Sequence, residues 1–125
     1  MPVMKYQKAP EIKKTIEVLI EKLNFEYIVP KRIHCIRSFD AKTRAYARIW
    51  GMAPLFQEVV GIEPNYIIEV ISQRFDKLNE REKIKTLIHE LMHIPKTFSG
   101  ALLPHRGRYH RINDREVERI LREMR

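Results

Sequence analysis

Three residues in one short stretch have the chemistry to hold a metal ion and activate water. His89, Glu90 and His93 belong to the pattern HELMH, in which three residues separate the two histidines. Residues four positions apart lie on one face of an α-helix, so both imidazoles can reach the same metal ion. The Glu90 carboxylate lies beside this pair and can accept a proton from water. The spacing therefore predicts metal-assisted hydrolysis.

This chemistry requires a helix, and the flanking residues predict one independently of the motif. Asn79 is a preferred N-cap residue, and Glu82, three positions later, completes a capping-box pattern. Pro95 has no backbone N–H and restricts the residue before it, so the helix should end just after His93. The apolar residues with helical spacing are Ile84, Leu87, Ile88, Leu91 and Met92. The two histidines flank this apolar stripe, so we expect them to face a cleft.

A catalytic zinc ion normally has three protein ligands, with water in the fourth position. The metzincin pattern would place glycine where this chain has Lys96 and the third histidine where it has Ser99, so it does not apply. The downstream candidates are His105, His110, Glu116 and Glu118. Gly100 and Pro104 favour His105, because they allow the loop to fold back over the helix end. His110 and the two glutamates stay open as alternatives.

Length and composition predict one soluble domain spanning residues 1–125. Hydrophobic residues make up 44% of the chain and charged residues 32%. The sequence has no apolar run of the 18 or more residues that span a bilayer, and its start lacks the apolar region of a signal peptide. Cys35 is the single cysteine, so an internal disulfide cannot form. We therefore expect a cytoplasmic protein without a membrane partner.

The formal net charge of +8 concentrates in arginines near the C-terminus, namely Arg106, Arg108, Arg111, Arg115, Arg119, Arg122 and Arg125. A basic surface attracts polyanions through counterion release, so nucleic acid is a candidate partner. Glu116, Glu118 and Glu123 alternate with these arginines. This alternation indicates more simply a solvated helix face with ion pairs between neighbouring turns.

Periodicity predicts the remaining elements. Residues 11–24 and 112–124 have the spacing of amphipathic helices, the second with Asn113 or Asp114 as its cap. Residues 32–39 and 45–52 alternate apolar and polar side chains and are expected to pair as a β-hairpin. On the first of these strands, His34 is expected to be a partly buried structural residue rather than a ligand. Residues 1–10 are expected to form an arm, and residues 51–64 mostly a loop.

Residues 66–72 form the strongest strand candidate by their β-branched content. If this strand forms the rim of the cleft, its unpaired edge could accept an extended peptide; an interior position is the alternative. The element order predicts an α+β fold in which a small, mainly antiparallel sheet is covered by the N-terminal helix, the motif helix and the C-terminal helix.

The run HELMHIPKTFSGALLPHRG resembles the small predicted metallopeptidases of archaea, whose pattern is HELLHIP, then FSG, then a proline-histidine pair. Through its short motif helix the chain is also distantly similar to SprT-like and minigluzincin proteases. The similarity is strongest over residues 84–107. It implies a zincin-like fold, a zinc ion held by His89, His93 and His105, and Glu90 as the catalytic base acting on peptide substrates.

Zinc-dependent peptide hydrolysis is therefore the favoured function, with Tyr109 or His110 as a second donor to the oxyanion. Two alternatives remain. The site would activate water equally for another amide substrate. A zinc ion could also act as a structural element in a nucleic-acid-binding or regulatory module without peptidase activity, and four-ligand coordination would favour this.

Overall fold

The computed structural model describes residues 5–107 and 110–124, which contain four strands and five α-helices. The strands are β1 (Lys5–Lys8), β2 (Ile33–Phe39), β3 (Ala47–Trp50) and β4 (Tyr66–Ile71). The helices are α1 (Pro10–Lys22), α2 (Pro54–Val60), α3 (Ser72–Phe75), α4 (Glu80–Met92) and α5 (Asp114–Glu123), and a 3-10 turn covers Pro30–Arg32. The α+β class is as predicted. None of the described helices combines the length and apolar character needed to cross a membrane.

The strands form one mixed sheet in the order β1-β2-β4-β3. The two outer pairings are antiparallel, as expected, but β2 and β4 run parallel at the centre. The predicted hairpin between β2 and β3 is wrong, because β4 lies between them. Five of the six residues of β4 are buried, whereas Trp50 at the end of β3 is exposed. A strand buried on both faces takes an interior position, and the more polar strand takes the edge.

Two further expectations need correction, and one of the two positions left open for residues 66–72 is found. Lys5–Lys8 of the expected N-terminal arm form the edge strand β1, paired with the end of β2. The expected loop at residues 51–64 contains the helix α2. The strand at residues 66–72 is the interior strand β4, so the sheet edge on the side of the motif helix belongs to β3. The alternating apolar and polar residues of β3 could not reveal that it is an edge strand, because strand order depends on contacts between residues distant in sequence.

Helices α1 and α4 cover one face of the sheet. α1 buries Ile16 and Leu19, and α4 buries Leu87, Ile88 and Leu91 against the inward side chains of the strands. Burial of each such side chain contributes about 1.5–3 kcal/mol to stability.

The C-terminal helix α5 packs mainly against α4 rather than directly on the sheet, which differs from the predicted layering. Val117 joins the core, and the Nζ of Lys85 on α4 contacts carboxylate oxygens of Asp114 at 2.7 Å and Glu118 at 2.8 Å. These carboxylates raise the pKa of Lys85. α5 therefore supports α4 from outside.

Candidate metal centre

Helix α4 carries the HELMH motif, and it begins and ends close to the predicted positions. The Asn79 side chain accepts a hydrogen bond from the backbone N–H of Glu82 at 2.9 Å, which satisfies one of the free donors of the first turn. The last helical residue is Met92, and His93 is the C-cap. Buried apolar residues fix the rotation of α4 about its axis. The helix face with both histidines therefore points to the cleft rather than to the apolar core.

The chain after α4 folds back over the helix end. Gly100 has a φ of +92°, in the left-handed region that favours glycine. The Tyr66 hydroxyl accepts from the Gly100 N–H and donates to the Ala101 carbonyl, both at 2.8 Å. The Leu103 N–H donates to the His93 carbonyl at 2.7 Å. These bonds fix residues 99–103, and the chain then continues directly to His105.

Three histidines converge at this fold-back. Among the described residues, the imidazole nitrogens of His89, His93 and His105 lie within 4.8 Å of one another, and the Nε2 atoms of His89 and His105 are 3.1 Å apart. The ring centroids of His93 and His105 are 4.6 Å apart. Three imidazoles this close can bind a single metal ion.

Hydrogen bonding and burial prepare two of these imidazoles for a cation. The Nδ1–H of His93 donates to the Leu103 carbonyl at 2.5 Å, which leaves the lone pair on Nε2 available. Burial, together with the nearby His93 and His105, lowers the pKa of His89 to about 4. The pKa of His93 is also lowered, chiefly by burial. Both rings are therefore neutral at pH 7, as metal ligation requires.

Glu90 lies beside this cluster in an apolar environment. It is only 7% exposed, and burial raises its pKa to about 8. A carboxyl group with a pKa near neutrality is suited to accept and return a proton at physiological pH.

A cleft of about 690 Å³ opens beside the three histidines. Its walls are residues 45–49 at β3, the face of α4 with Thr86 and the motif residues, and residues 102–105. Sequence reasoning missed the β3 wall, because the contact between β3 and α4 joins distant parts of the chain. It also missed Thr86, although its position three residues before His89 places it on the same helix face.

The other candidate residues lie elsewhere. His110 donates from Nε2 to the Pro104 carbonyl at 2.8 Å, so it contacts the loop that carries His105 but does not join the histidine cluster. Glu116 pairs with Arg119, and Glu118 pairs with Lys85 and with Arg81 of α4. Tyr109 lies outside the described residues.

His34 is exposed rather than partly buried as expected, and it hydrogen-bonds to Asn65 at 2.8 Å, outside the cluster. The basic surface of α5 has the neighbouring-turn ion pairs that its sequence predicted. Arg119 contacts Glu116 at 3.1 Å and Glu123 at 3.0 Å.

One comparison with known proteins, against protein-family models, agrees with a metal-dependent peptidase. No curated protein and no solved structure matches the chain. The model of one protein family matches residues 4–125, nearly the whole length. Together with the three-histidine cluster, this match indicates a metal-ion-dependent hydrolase of peptides. The chain belongs to the family described as "Putative phage metallopeptidase".

Proposed function

We propose that the protein is a zinc metallopeptidase of the HExxH type, with His89, His93 and His105 as zinc ligands and Glu90 as general base. The observation that carries this proposal is the convergence of three imidazoles beside a buried carboxylate where two walls of a cleft meet. Residues 1–125 would then act as a single zincin-like domain, in line with the sequence resemblance.

The donor set fits zinc. Three nitrogens that bind zinc at 2.0–2.1 Å in a tetrahedron lie about 3.3 Å apart, which is close to the 3.1 Å between Nε2 of His89 and Nε2 of His105. Zinc is preferred to harder cations because imidazole nitrogen is a borderline-soft ligand. When bound, zinc supplies Lewis-acid chemistry, which lowers the pKa of a coordinated water and polarises a carbonyl group.

Glu90 transfers the protons. Its carboxylate accepts a proton from the attacking water and returns it to the leaving amine. Burial keeps its proton affinity in the range where both transfers are possible near pH 7.

β3 positions the substrate. Within the described part of the chain, β3 forms the edge of the sheet beside α4 and lines the cleft. An extended peptide can add to this edge through backbone hydrogen bonds, which would hold its scissile bond near Glu90. This assigns to β3 the role that the sequence suggested for the strand at residues 66–72.

Metal content and cleavage test the proposal separately. Elemental analysis of zinc-loaded protein should give close to one zinc ion per chain in the wild type and a clear loss in His93→Ala and in His105→Ala. His34→Ala is the matched control, because this exposed histidine lies outside the cluster and should leave the zinc content unchanged. Retention of zinc by His105→Ala would refute its assignment as ligand.

Cleavage of casein or of a peptide library then tests the chemistry. Glu90→Gln should keep its zinc but lose cleavage by about 10²–10⁴-fold, the usual contribution of a general base. Glu58→Gln, which changes an exposed carboxylate on α2, should cleave like the wild type. A zinc-loaded wild type that cleaves no peptide but hydrolyses another amide would favour the alternative in which the substrate is not a peptide.

The alternative function, a nucleic-acid-binding module without catalysis, is suggested by the net charge of +8. It predicts salt-dependent binding of DNA or RNA that survives Glu90→Ala and occurs without cleavage. Ion pairing of Arg119 within α5 reduces the basic surface on which this alternative depends.

A further inference from the structure

Helix α2 presents its apolar side chains to solvent instead of to the core. All seven of its residues are exposed or half-buried. The large exposed side chains of α2 and its C-terminal flank are Leu55 (70% exposed), Phe56 (55%), Val59 (77%), Val60 (54%) and Ile62 (40%). Exposed apolar residues are usually scattered singly, so five within eight positions indicate a surface that another molecule covers.

A polar side chain anchors this helix to the rest of the protein. Gln57 donates from Nε2 to the Met52 carbonyl at 3.0 Å and to the Ser99 carbonyl at 2.8 Å. A two-turn helix is marginal in water without packing of an apolar face. Since the anchor uses the polar side of α2, packing of its apolar side must come from outside the described fold.

The sheet also has three large apolar side chains that are exposed. Tyr6 (53% exposed), Trp50 (48%) and Ile67 (38%) lie on the face opposite α1 and α4 and line a shallow groove of about 470 Å³. Trp50 is the last residue of β3, and its cross-strand neighbour Ile67 is the second residue of β4. Helix α2 connects these two strands, so both residues lie at the end of the sheet next to α2. We call these three residues, with the five of α2 and its flank, the apolar patch.

The apolar patch has the area that a stable dimer needs. From the exposed fractions, its eight side chains present roughly 800 Å² of surface, which matches the area of about 800 Å² that each partner buries in a standard interface. Homodimer interfaces are also more apolar than the remaining surface and contain few charges at their centre.

Charge favours a second copy at this surface. In a chain of net charge +8, residues 49–73 contain no lysine or arginine and three glutamates. Glu63 pairs with Arg32, and Glu69 pairs with Arg48 at 2.8 Å. Glu58 is therefore the one of these three glutamates for which no ion pair is described.

The Arg48 guanidinium lies over the Trp50 ring at 5.1 Å and is neutralised by Glu69, whereas Lys5 and Lys8 flank Tyr6 in the sequence. Two copies would repel each other through their basic faces, so the α2 part of the apolar patch, which has no lysine or arginine, is the surface that they can bring together.

We propose that two copies of the chain form a homodimer through the apolar patch. Symmetric dimers usually have a two-fold axis, so the same patch faces itself across the interface and α2 of each subunit packs on the patch of its partner. The cleft beside the three histidines and the groove at Trp50 share no lining residue, so this inference does not depend on the proposed activity.

Light scattering after size-exclusion chromatography of the full-length protein tests the dimer. We expect the wild type at twice the monomer mass of 15.0 kDa and Val59→Glu at 15.0 kDa up to about 100 µM. A glutamate at this exposed helical position leaves the monomer fold intact but places two charges in the dimer interface. Val18→Glu is the matched control, because Val18 is 48% exposed on α1 and should leave the dimer unchanged.

Thermal unfolding gives a second measurement. Dimerisation makes the wild-type Tm rise with protein concentration, and this rise should disappear in Val59→Glu. A wild type that is monomeric at about 100 µM overturns the proposal and leaves the apolar patch to a different protein. A Val59→Glu variant that stays dimeric, or equal dissociation in Val18→Glu, overturns it as well.

Discussion

Replacing Glu90 with glutamine should stabilise the metal-free protein, although under the proposed function it lowers cleavage. The Glu90 carboxyl is 7% exposed, and burial raises its pKa from 4.5 to about 8. The folded state therefore binds more protons at this group than the unfolded state between these two values. Stability consequently falls as the pH rises from about 4.5 to about 8. Glutamine has a similar shape and no charge, so this loss disappears in Glu90→Gln.

The magnitude follows from the two pKa values. Each pKa unit corresponds to about 1.4 kcal/mol. Because the Glu90 carboxyl ionises more readily in the unfolded chain, the free energy of unfolding of the wild type is lowered by about 1 kcal/mol at pH 5 and by about 3 kcal/mol at pH 7. His89 has a lowered pKa and reduces stability on the acid side. This contribution is the same in both proteins and cancels in their difference.

Urea unfolding with a chelator present, from pH 5 to pH 8.5, measures this difference. The free energy of unfolding of Glu90→Gln should exceed that of the wild type by an amount that grows with pH. The matched control is Glu21→Gln, which changes an exposed carboxylate on α1 outside the apolar patch, and its free energy of unfolding should stay close to that of the wild type. A difference for Glu90→Gln that does not change with pH, or a less stable variant at pH 7, would refute the reasoning.

Three other changes test the support of the site. His110→Ala removes the hydrogen bond to the residue before His105, so we expect zinc affinity to fall about 10–100-fold in a competition titration with a chelator. Tyr66→Phe leaves the buried N–H of Gly100 without its acceptor and should lower the free energy of unfolding in urea by about 1–3 kcal/mol. Asn79→Ala removes the cap of α4 and should cost about 1 kcal/mol in the same measurement.

Local sequence patterns were sufficient to predict the position of α4 and the pair of histidines at its C-terminal end. Capping by Asn79, the apolar spacing and Pro95 each act within a few residues of the helix, so they predicted its position without knowledge of the fold. The i, i+4 spacing of His89 and His93 likewise follows from helix geometry alone. The cap of α5 at Asn113 was predictable for the same reason.

Contacts between distant parts of the chain decided what the sequence left open. β4 separates β2 from β3 because burial on both of its faces outweighs the proximity of the other two strands in sequence. Only the fold-back held by Tyr66 and Leu103 brings His105, rather than His110, to the histidines of α4.

The surface of α2 also became visible only in the structure. Its apolar residues resemble those of any buried segment, and the sequence does not show which way they face. The pairing of His89 with His93 on one helix face was thus encoded in local spacing. The third histidine of the cluster, the edge strand and the exposed apolar patch were decided by packing between distant segments, because periodicity describes one element at a time and not its neighbours.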